Sequence, residues 1–128
     1  MTILKDPNEQ KDFLANYWNK KPKLFKGAVQ KASELASASD LMELALDESF
    51  ETKIMYESGW EYPWQLIEGP FEEKVLDKLS GKWTLAAHGL NFISEEFFEL
   101  EKKLRFLTKW KFDDVMATYS VKDASVGS

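Results

Sequence analysis

The residues Val115-Met116-Ala117-Thr118-Tyr119-Ser120-Val121 decide how the rest of the chain is interpreted. Apolar and polar side chains largely alternate along this run, which is typical of a β-strand with one buried face. The small-residue segment 122–128 follows it and predicts a turn. A strand of this character needs neighbours, and little sequence follows to supply them. The run therefore predicts either an edge strand or the front part of a longer protein, and we favour the second.

Composition predicts one globular domain, 1–128, with no internal boundary. The chain is 44% hydrophobic and 14% aromatic, which is enough to bury a core at 128 residues. It has no cysteine, which excludes disulfides. No apolar run approaches the roughly 20 residues of a membrane span. A net charge of −5 and a single arginine, Arg105, argue against direct nucleic-acid binding. We expect a cytoplasmic protein.

Capping signals and apolar periodicity predict an α+β fold of order α-β-α-β-β-α-β-α-β. The predicted helices run from Asp6-Pro7 to Trp18, from a cap at Ser37 or Ser39 to Leu46, from Phe71 to Leu79, and from a cap at Ser94 to Leu107. The predicted strands are Lys23–Gly27, Thr52–Glu57, Trp60–Glu68, Trp83–His88 and Val115–Val121. The second and third of these strands form a hairpin in which Pro63 confines the returning strand to an edge or a bulge.

The residue types exclude most kinds of active site. His88 is the single histidine, so the chain cannot supply the two histidines of a non-haem iron facial triad. Zinc sites built from His and Cys fail for the same reason. A Ser-His-Asp triad is formally open, but no Gly-x-Ser-x-Gly elbow presents a nucleophile. Glycine-rich phosphate loops are also missing from the sequence. We expect His88 to be a hydrogen-bonded structural residue.

Two other groups of residues leave alternatives open. The pairs Glu72-Glu73 and Glu95-Glu96 fit solvated helix starts, where the helix dipole favours negative charge. The pair Asp113-Asp114 precedes the last strand and is either structural, fixing the strand entry, or close to a site. The aromatic residues Trp60, Tyr62 and Trp64 either line a peptide groove or pack within the hairpin; packing is the favoured interpretation.

Five motifs, in order, resemble the opening part of the JmjC/cupin-4 family of ribosomal oxygenases, from about Asp12 to Ser128. The motifs are Asp12-Phe13-Leu14 through Tyr17-Trp18-Asn19-Lys20-Lys21-Pro22, the run Leu41–Leu46, Glu68-Gly69-Pro70-Phe71, Trp83-Thr84-Leu85 with Asn91, and Trp110–Val121. Each motif is weak alone, but their order and spacing are fairly specific. The resemblance implies an N-terminal helical and strand region that leads into an incomplete cupin barrel (a double-stranded β-helix, jelly-roll-like).

The same resemblance implies an Fe(II)- and 2-oxoglutarate-dependent enzyme that hydroxylates a side chain of a ribosomal protein. In that family the His-x-Asp iron motif follows the turn occupied here by 122–128. The chain therefore carries no catalytic, cofactor-binding or metal residue, and we expect it to be the inactive N-terminal part of a longer hydroxylase. Within it, Tyr119, Ser120 and Ser128 are the candidate pocket wall. Fe(II) and 2-oxoglutarate would belong to the longer protein.

A second hypothesis is a stand-alone, non-catalytic interaction module that binds another polypeptide through an exposed strand edge. Unpaired strand edges are templates for pairing with another chain. Under either hypothesis, the strand Val115–Val121 provides a route to a homodimer.

Overall fold

The computed structural model describes residues 5–29, 31–57, 64–107 and 112–124. Within these residues the α+β prediction is confirmed. The helices are α1 (Pro7–Asn16), α2 (Ala38–Leu46), α3 (Glu73–Leu76) and α4 (Glu95–Lys103), with 3₁₀ turns at Ala32–Glu34 and Leu90–Phe92. The strands are β1 (Thr52–Glu57), β2 (Trp64–Glu68), β3 (Trp83–Ala87) and β4 (Ala117–Ser120). None of the described helices is long and apolar enough to cross a membrane.

The four strands form one antiparallel sheet in the order β2-β1-β3-β4. The predicted hairpin between β1 and β2 is confirmed, with Ile54 opposite Ile67. The returning strand lies at one edge, as the proline in the sequence requires, although Pro63 and the turn at Ser58-Gly59 lie outside the described residues. β4 lies at the opposite edge and pairs with β3.

One face of the sheet holds the hydrophobic core. Ile54, Leu85 and Tyr119 form a row across β1, β3 and β4 on this face. Leu41 and Ala45 of α2 pack against the row, and Ile54 and Leu85 are fully buried. Side-chain alternation places the next residues of each strand on the opposite face. Helix α2 therefore covers one face of the sheet, and the alternate residues of each strand point to the opposite face.

Ser37 is the N-cap residue of helix α2, so of the two predicted caps, Ser37 and Ser39, the structure has the first. The Ser37 hydroxyl accepts a hydrogen bond from the Asp40 N–H at 3.2 Å, and the Asp40 carboxylate accepts from the Ser37 N–H at 2.7 Å. This is a capping box. The bond from the Ser37 backbone lowers the pKa of Asp40 below its ordinary value, because it favours the ionised carboxylate.

Helix α1 packs outside the main core. Asp6 caps the helix and Pro7 is its first residue, as predicted. None of the helix residues is buried. Phe13 instead contacts four other rings, which form an aromatic cluster beside the end of α4. The rings in contact with it are Tyr17 at 6.3 Å, Trp18 at 5.9 Å, Phe25 at 5.5 Å and Phe106 at 6.5 Å between centroids.

The predicted strand Lys23–Gly27 is wrong, because this segment contacts α1 through side chains and is not part of the sheet. Lys23 pairs with Asp12 at 2.9 Å and lies 4.1 Å from the centre of the Tyr17 ring. Phe25 meets Phe13 edge to face. A sequence with strand-like residue types is therefore held by an ion pair, a cation–π contact and ring packing.

Several predicted elements are shorter than expected: α1 ends at Asn16 rather than Trp18, β3 ends at Ala87 rather than His88, and α3 begins at Glu73 rather than Phe71. Helices α3 and α4 end at Leu76 and Lys103, before the predicted Leu79 and Leu107. Beyond these ends, the N–H groups of Lys78 and Leu79, and those of Leu104 and Arg105, bond three residues back, which is the tighter 3₁₀ geometry common at helix ends. The strand predicted over Val115–Val121 is regular only at Ala117–Ser120, because the Val115 backbone bonds to a turn.

Gly69 is required where β2 meets the core. Its N–H donates to the Thr52 carbonyl at 2.8 Å, and the next N–H along the chain, that of Phe71, donates to the Ala45 carbonyl of α2 at 2.8 Å. A Cβ at position 69 would overlap the Thr52 hydroxyl and lie 3.0 Å from the Phe71 ring. Phe71 is buried in the core. The motif Gly69-Pro70-Phe71 thus joins the edge strand to α2 through a close approach that only glycine allows.

We predict that Gly69→Ala lowers the free energy of unfolding by about 1–3 kcal/mol, because the added methyl overpacks a filled space. Urea unfolding of the two proteins measures the change. Thr52→Ala removes the hydroxyl that the methyl would meet, and that hydroxyl has no hydrogen-bond partner among the described residues. The penalty of Gly69→Ala should therefore be smaller in a Thr52→Ala background; an equal penalty would contradict the packing explanation.

Candidate functional site

The turn after β3 fixes the chain where it enters β4. Gly89 has a φ of +70°, a left-handed conformation that glycine adopts without strain. Its N–H donates to the Asp114 carboxylate at 2.7 Å. The Leu90 N–H donates to the Val115 carbonyl at 2.9 Å. Of the two alternatives left open for Asp113-Asp114, the bond from the Gly89 N–H gives Asp114 the structural one, at the strand entry, whereas Asp113 is exposed.

Asn91 connects this turn to both β4 and α4. Its side chain is buried, and both ends of the amide are satisfied. The carbonyl oxygen accepts from the Val115 N–H at 2.9 Å, and the amide nitrogen donates to the Glu101 carboxylate at 2.9 Å. Glu101 is also 3.3 Å from Arg105. A buried amide with two directed bonds fixes the relative positions of three segments of chain.

His88 lies at the same place, one residue beyond β3. Its Nδ1 is 3.4 Å from the Asp114 carboxylate. Its backbone N–H donates to the backbone carbonyl of Glu51 at 2.9 Å. The side chain is about one-quarter exposed. These contacts agree with the structural role predicted for the single histidine. Asp114 is thus shared between the turn backbone and the imidazole ring.

A second ionic contact lies beside this end of β1. Lys53 is 2.7 Å from Glu51. This contact lowers the pKa of Glu51, mainly through a hydrogen bond from the ammonium group. The same hydrogen bond raises the pKa of Lys53. Both residues are therefore charged at neutral pH.

The candidate pocket-wall residues do not share a surface. Tyr119 faces the core, where its ring lies 5.7 Å from that of Trp83. Ser120 faces the other way, and its hydroxyl is 2.8 Å from the Thr84 hydroxyl on β3. Ser128 lies outside the described residues. Tyr119 and Ser120 are therefore adjacent in sequence but belong to opposite faces of the sheet.

The other candidate groups are mostly at the surface. Glu73 is in the first turn of α3, and Glu95 and Glu96 are in the first turn of α4, as predicted. Glu72 occupies the N-cap position of α3. The Ser94 hydroxyl donates to Glu96 at 2.8 Å, and this bond lowers the pKa of Glu96. Of the predicted aromatic cluster, Trp64 is half-buried, whereas Trp60 and Tyr62 lie outside the described residues.

The residues present do not fit an iron centre. Among residues 5–29, 31–57, 64–107 and 112–124, the structure brings together no group of three His, Cys, Asp or Glu side chains that could hold a metal. The pair His88–Asp114 supplies one imidazole and one carboxylate. The facial triad needs a second histidine, which the sequence does not contain.

The contribution of Asn91 is the part of this region that residue patterns did not predict. A single asparagine after a strand carries no signal for a buried, two-way hydrogen bond. It appeared only as one position of a family-like motif. The clue available in the sequence is its neighbourhood, since Gly89 and Asn91 flank a turn.

Comparisons with known proteins show similarity to ribosomal oxygenases over nearly the whole chain. No family model matches the chain. It is 30% identical over 115 residues, or 90% of its length, to a Haemophilus influenzae protein named probable ribosomal oxygenase. It is also 30% identical over 117 residues, or 91% of its length, to the ribosomal protein uL16 3-hydroxylase of Escherichia coli. It spans 28% and 30% of these relatives' own lengths.

Solved structures give the same result. The structure of the Escherichia coli ribosomal oxygenase YcfD in complex with cobalt and 2-oxoglutarate matches with a TM-score of 0.77 and 30% identity. The match covers 91% of this chain and 32% of that one. An X-ray structure of E. coli YcfD matches with a TM-score of 0.78. The predicted resemblance to the N-terminal part of ribosomal oxygenases is confirmed.

We predict that Asn91→Asp lowers the free energy of unfolding by about 2–4 kcal/mol at pH 7, because it places a second carboxylate against Glu101 in a buried site. The like charge raises the pKa of the introduced carboxyl above its value in the unfolded chain. Its penalty is therefore present above that raised pKa and is lost as the pH falls through it. Urea unfolding at a series of pH values measures this.

Asn91→Ala is the uncharged control: it also removes the bond to Glu101 without adding a charge, although unlike aspartate it leaves the Val115 N–H without its side-chain acceptor. Its penalty relative to the parent protein should change little over the same pH range. Equal pH dependence of the two variants would show that Asn91 and Glu101 do not meet as described.

Proposed function

We propose that this chain, a homologue of the N-terminal part of JmjC ribosomal oxygenases, belongs to a longer Fe(II)- and 2-oxoglutarate-dependent enzyme that hydroxylates a side chain of a ribosomal protein. The observation that carries the proposal is the match to the YcfD complex with cobalt and 2-oxoglutarate, at 30% identity over 91% of the chain. The chain spans only about three-tenths of such relatives, which leaves room for the metal site elsewhere.

In this proposal the 128 residues are a scaffold and are inactive alone. The iron ligands and the group that binds 2-oxoglutarate would come from sequence that follows them. Two features of the chain support this division. Its described residues gather no metal-binding cluster. Its sequence has too few histidines for the facial triad.

The edge of β4 would receive the next strand and so extend the sheet toward a cupin barrel. β4 pairs with β3 on one side, and the order β2-β1-β3-β4 places it at the edge of the described sheet. Thr118 and Ser120 face away from the helices, opposite Ala86 and Thr84 of β3 respectively. We place the barrel interior on this polar face, with Ser120 in its wall. Ser128 remains a candidate from the segment that follows β4.

The matches do not favour the stand-alone interaction module. Both curated relatives carry names of ribosomal oxygenases or hydroxylases. A ribosomal protein substrate would also place the enzyme in the cytoplasm. The net charge of −5 would suit a basic substrate protein.

The experiment compares two polypeptides from the natural source: the 128-residue chain and the native gene product, identified by intact mass and by peptide mapping across Ser128. Each is incubated with Fe(II), 2-oxoglutarate and ribosomal proteins of the same organism. We expect succinate formation only with a longer product, together with a ribosomal protein that gains the mass of one oxygen atom.

Two outcomes would contradict the proposal. Decarboxylation of 2-oxoglutarate by the 128-residue chain alone would disprove its inactivity. A native product that ends at Ser128, or a longer one without 2-oxoglutarate turnover, would remove the oxygenase assignment for the natural protein.

A further inference from the structure

An open groove with an apolar floor runs between α2 and the start of α4. It has a volume of about 340 Å³. Its floor comes from the segment before α2, from α2 itself, from the 3₁₀ turn after β3 and from α4. The apolar residues of the floor are Leu35, Leu41, Leu44, Leu90, Ile93 and Phe97. Ile93 is 45% exposed, so part of this floor faces solvent.

The rim of the groove is acidic. Asp40 and Glu43 of α2, and Asp47 directly after its end, line the rim. Beyond Leu35, which both surfaces share, a second hollow is lined by carboxylates of α4 and by one ammonium group. The charged residues of that hollow are Glu95, Glu96, Glu99 and Lys103. Among the described lining residues of the two hollows, six carboxylates face one ammonium group.

The lining of the two hollows therefore carries an excess of five carboxylates over ammonium groups, next to exposed apolar side chains such as Ile93.

Two of these carboxylates are held ionised by hydrogen bonds from neighbouring groups. Hydrogen bonds to the charged form lower the pKa of Asp40, through the Ser37 backbone, and the pKa of Glu96, through the Ser94 hydroxyl. Glu99 pairs with Lys102 at 2.6 Å, which offsets part of its charge. No described ion pair neutralises Glu43 or Asp47.

We propose that this groove binds a basic amphipathic segment of another protein, with apolar side chains on the floor and Lys or Arg side chains against the acidic rim. Helices with one apolar face commonly bind in grooves between two helices of a partner. The rim supplies the complementary charge, which sets specificity and association rate. Helix α2 has nine residues, so its length of about 13 Å would contact roughly two turns of such a segment.

This proposal rests on the groove alone and does not require the oxygenase function. A surface that is acidic at the rim and apolar at the floor disfavours nucleic acid, whose phosphates would meet the carboxylates. It also disfavours an acidic peptide for the same reason. The groove therefore selects for partners by charge as well as by apolar side chains.

The test uses a fluorescent helical peptide with leucine on one face and lysine elsewhere, titrated with the protein by anisotropy at low and at physiological salt. Two control peptides keep the length: a scrambled sequence of the same composition, and the amphipathic sequence with glutamate in place of lysine. We expect the basic amphipathic peptide to bind most tightly, and more tightly at low salt.

Two variants locate the binding on the protein. Ile93→Ala, which trims the exposed floor, and Glu43→Lys, which reverses one rim charge, should each weaken binding about fivefold or more. Their matched controls are Leu66→Ala on β2 and Glu73→Lys on α3, which alter an exposed leucine and an exposed glutamate away from the groove. These controls should bind the peptide as the parent protein does.

Three outcomes would overturn the proposal. Equal affinity for the amphipathic and scrambled peptides would indicate charge attraction without a groove. Equal weakening by the groove variants and by their controls would place binding elsewhere. Binding by the 128-residue chain but not by a longer native product would mean that a later segment of the same protein covers the groove.

Discussion

The buried amide of Asn91 is the interaction on which the arrangement of this chain most depends. It accepts a hydrogen bond from the backbone of Val115 and donates one to Glu101, so it joins the turn after β3 to the entry of β4 and to α4. β4 itself is paired with β3, and the residues just before it are held by these side-chain bonds, by the bond from Gly89 to Asp114 and by the backbone bond from Leu90 to Val115. A buried polar group that loses its hydrogen bond is costly, so the Asn91 side chain has few alternative arrangements.

Sequence patterns correctly predicted the features that depend on neighbouring residues. Asp6-Pro7, Ser37 and Ser94 cap helices as expected, since a cap depends on a few adjacent residues. Strand alternation located β1 and β3 nearly to the residue. The predictions were wrong where contacts between residues distant in sequence determine the structure. Lys23–Gly27 has strand-like residues but is held to α1 by Asp12 and Phe13.

The candidate site shows the same division. The resemblance to oxygenases came from ordered short motifs, and the structure gives physical reasons for several of them. Position 69 requires glycine because the Thr52 hydroxyl and the Phe71 ring occupy the space that a Cβ would need. Asp114 closes the turn after β3 by accepting a hydrogen bond from the Gly89 N–H. Lys23 is placed by Asp12 and Tyr17. The sequence alone did not show that Tyr119 and Ser120 lie on opposite faces of the sheet, with Tyr119 against Trp83 and Ser120 against Thr84.

The connectivity of the sheet has a consequence for biosynthesis. β1 pairs with β2 and β3, and β3 pairs with β4, so every strand of the described sheet has its partner within the first 120 residues. Domains form as units, from the N-terminal side, while a chain is being synthesised. A longer chain would therefore have this sheet and its helices assembled before later strands emerge from the ribosome. Any segment that followed would then meet β4 as a preformed edge of a folded sheet.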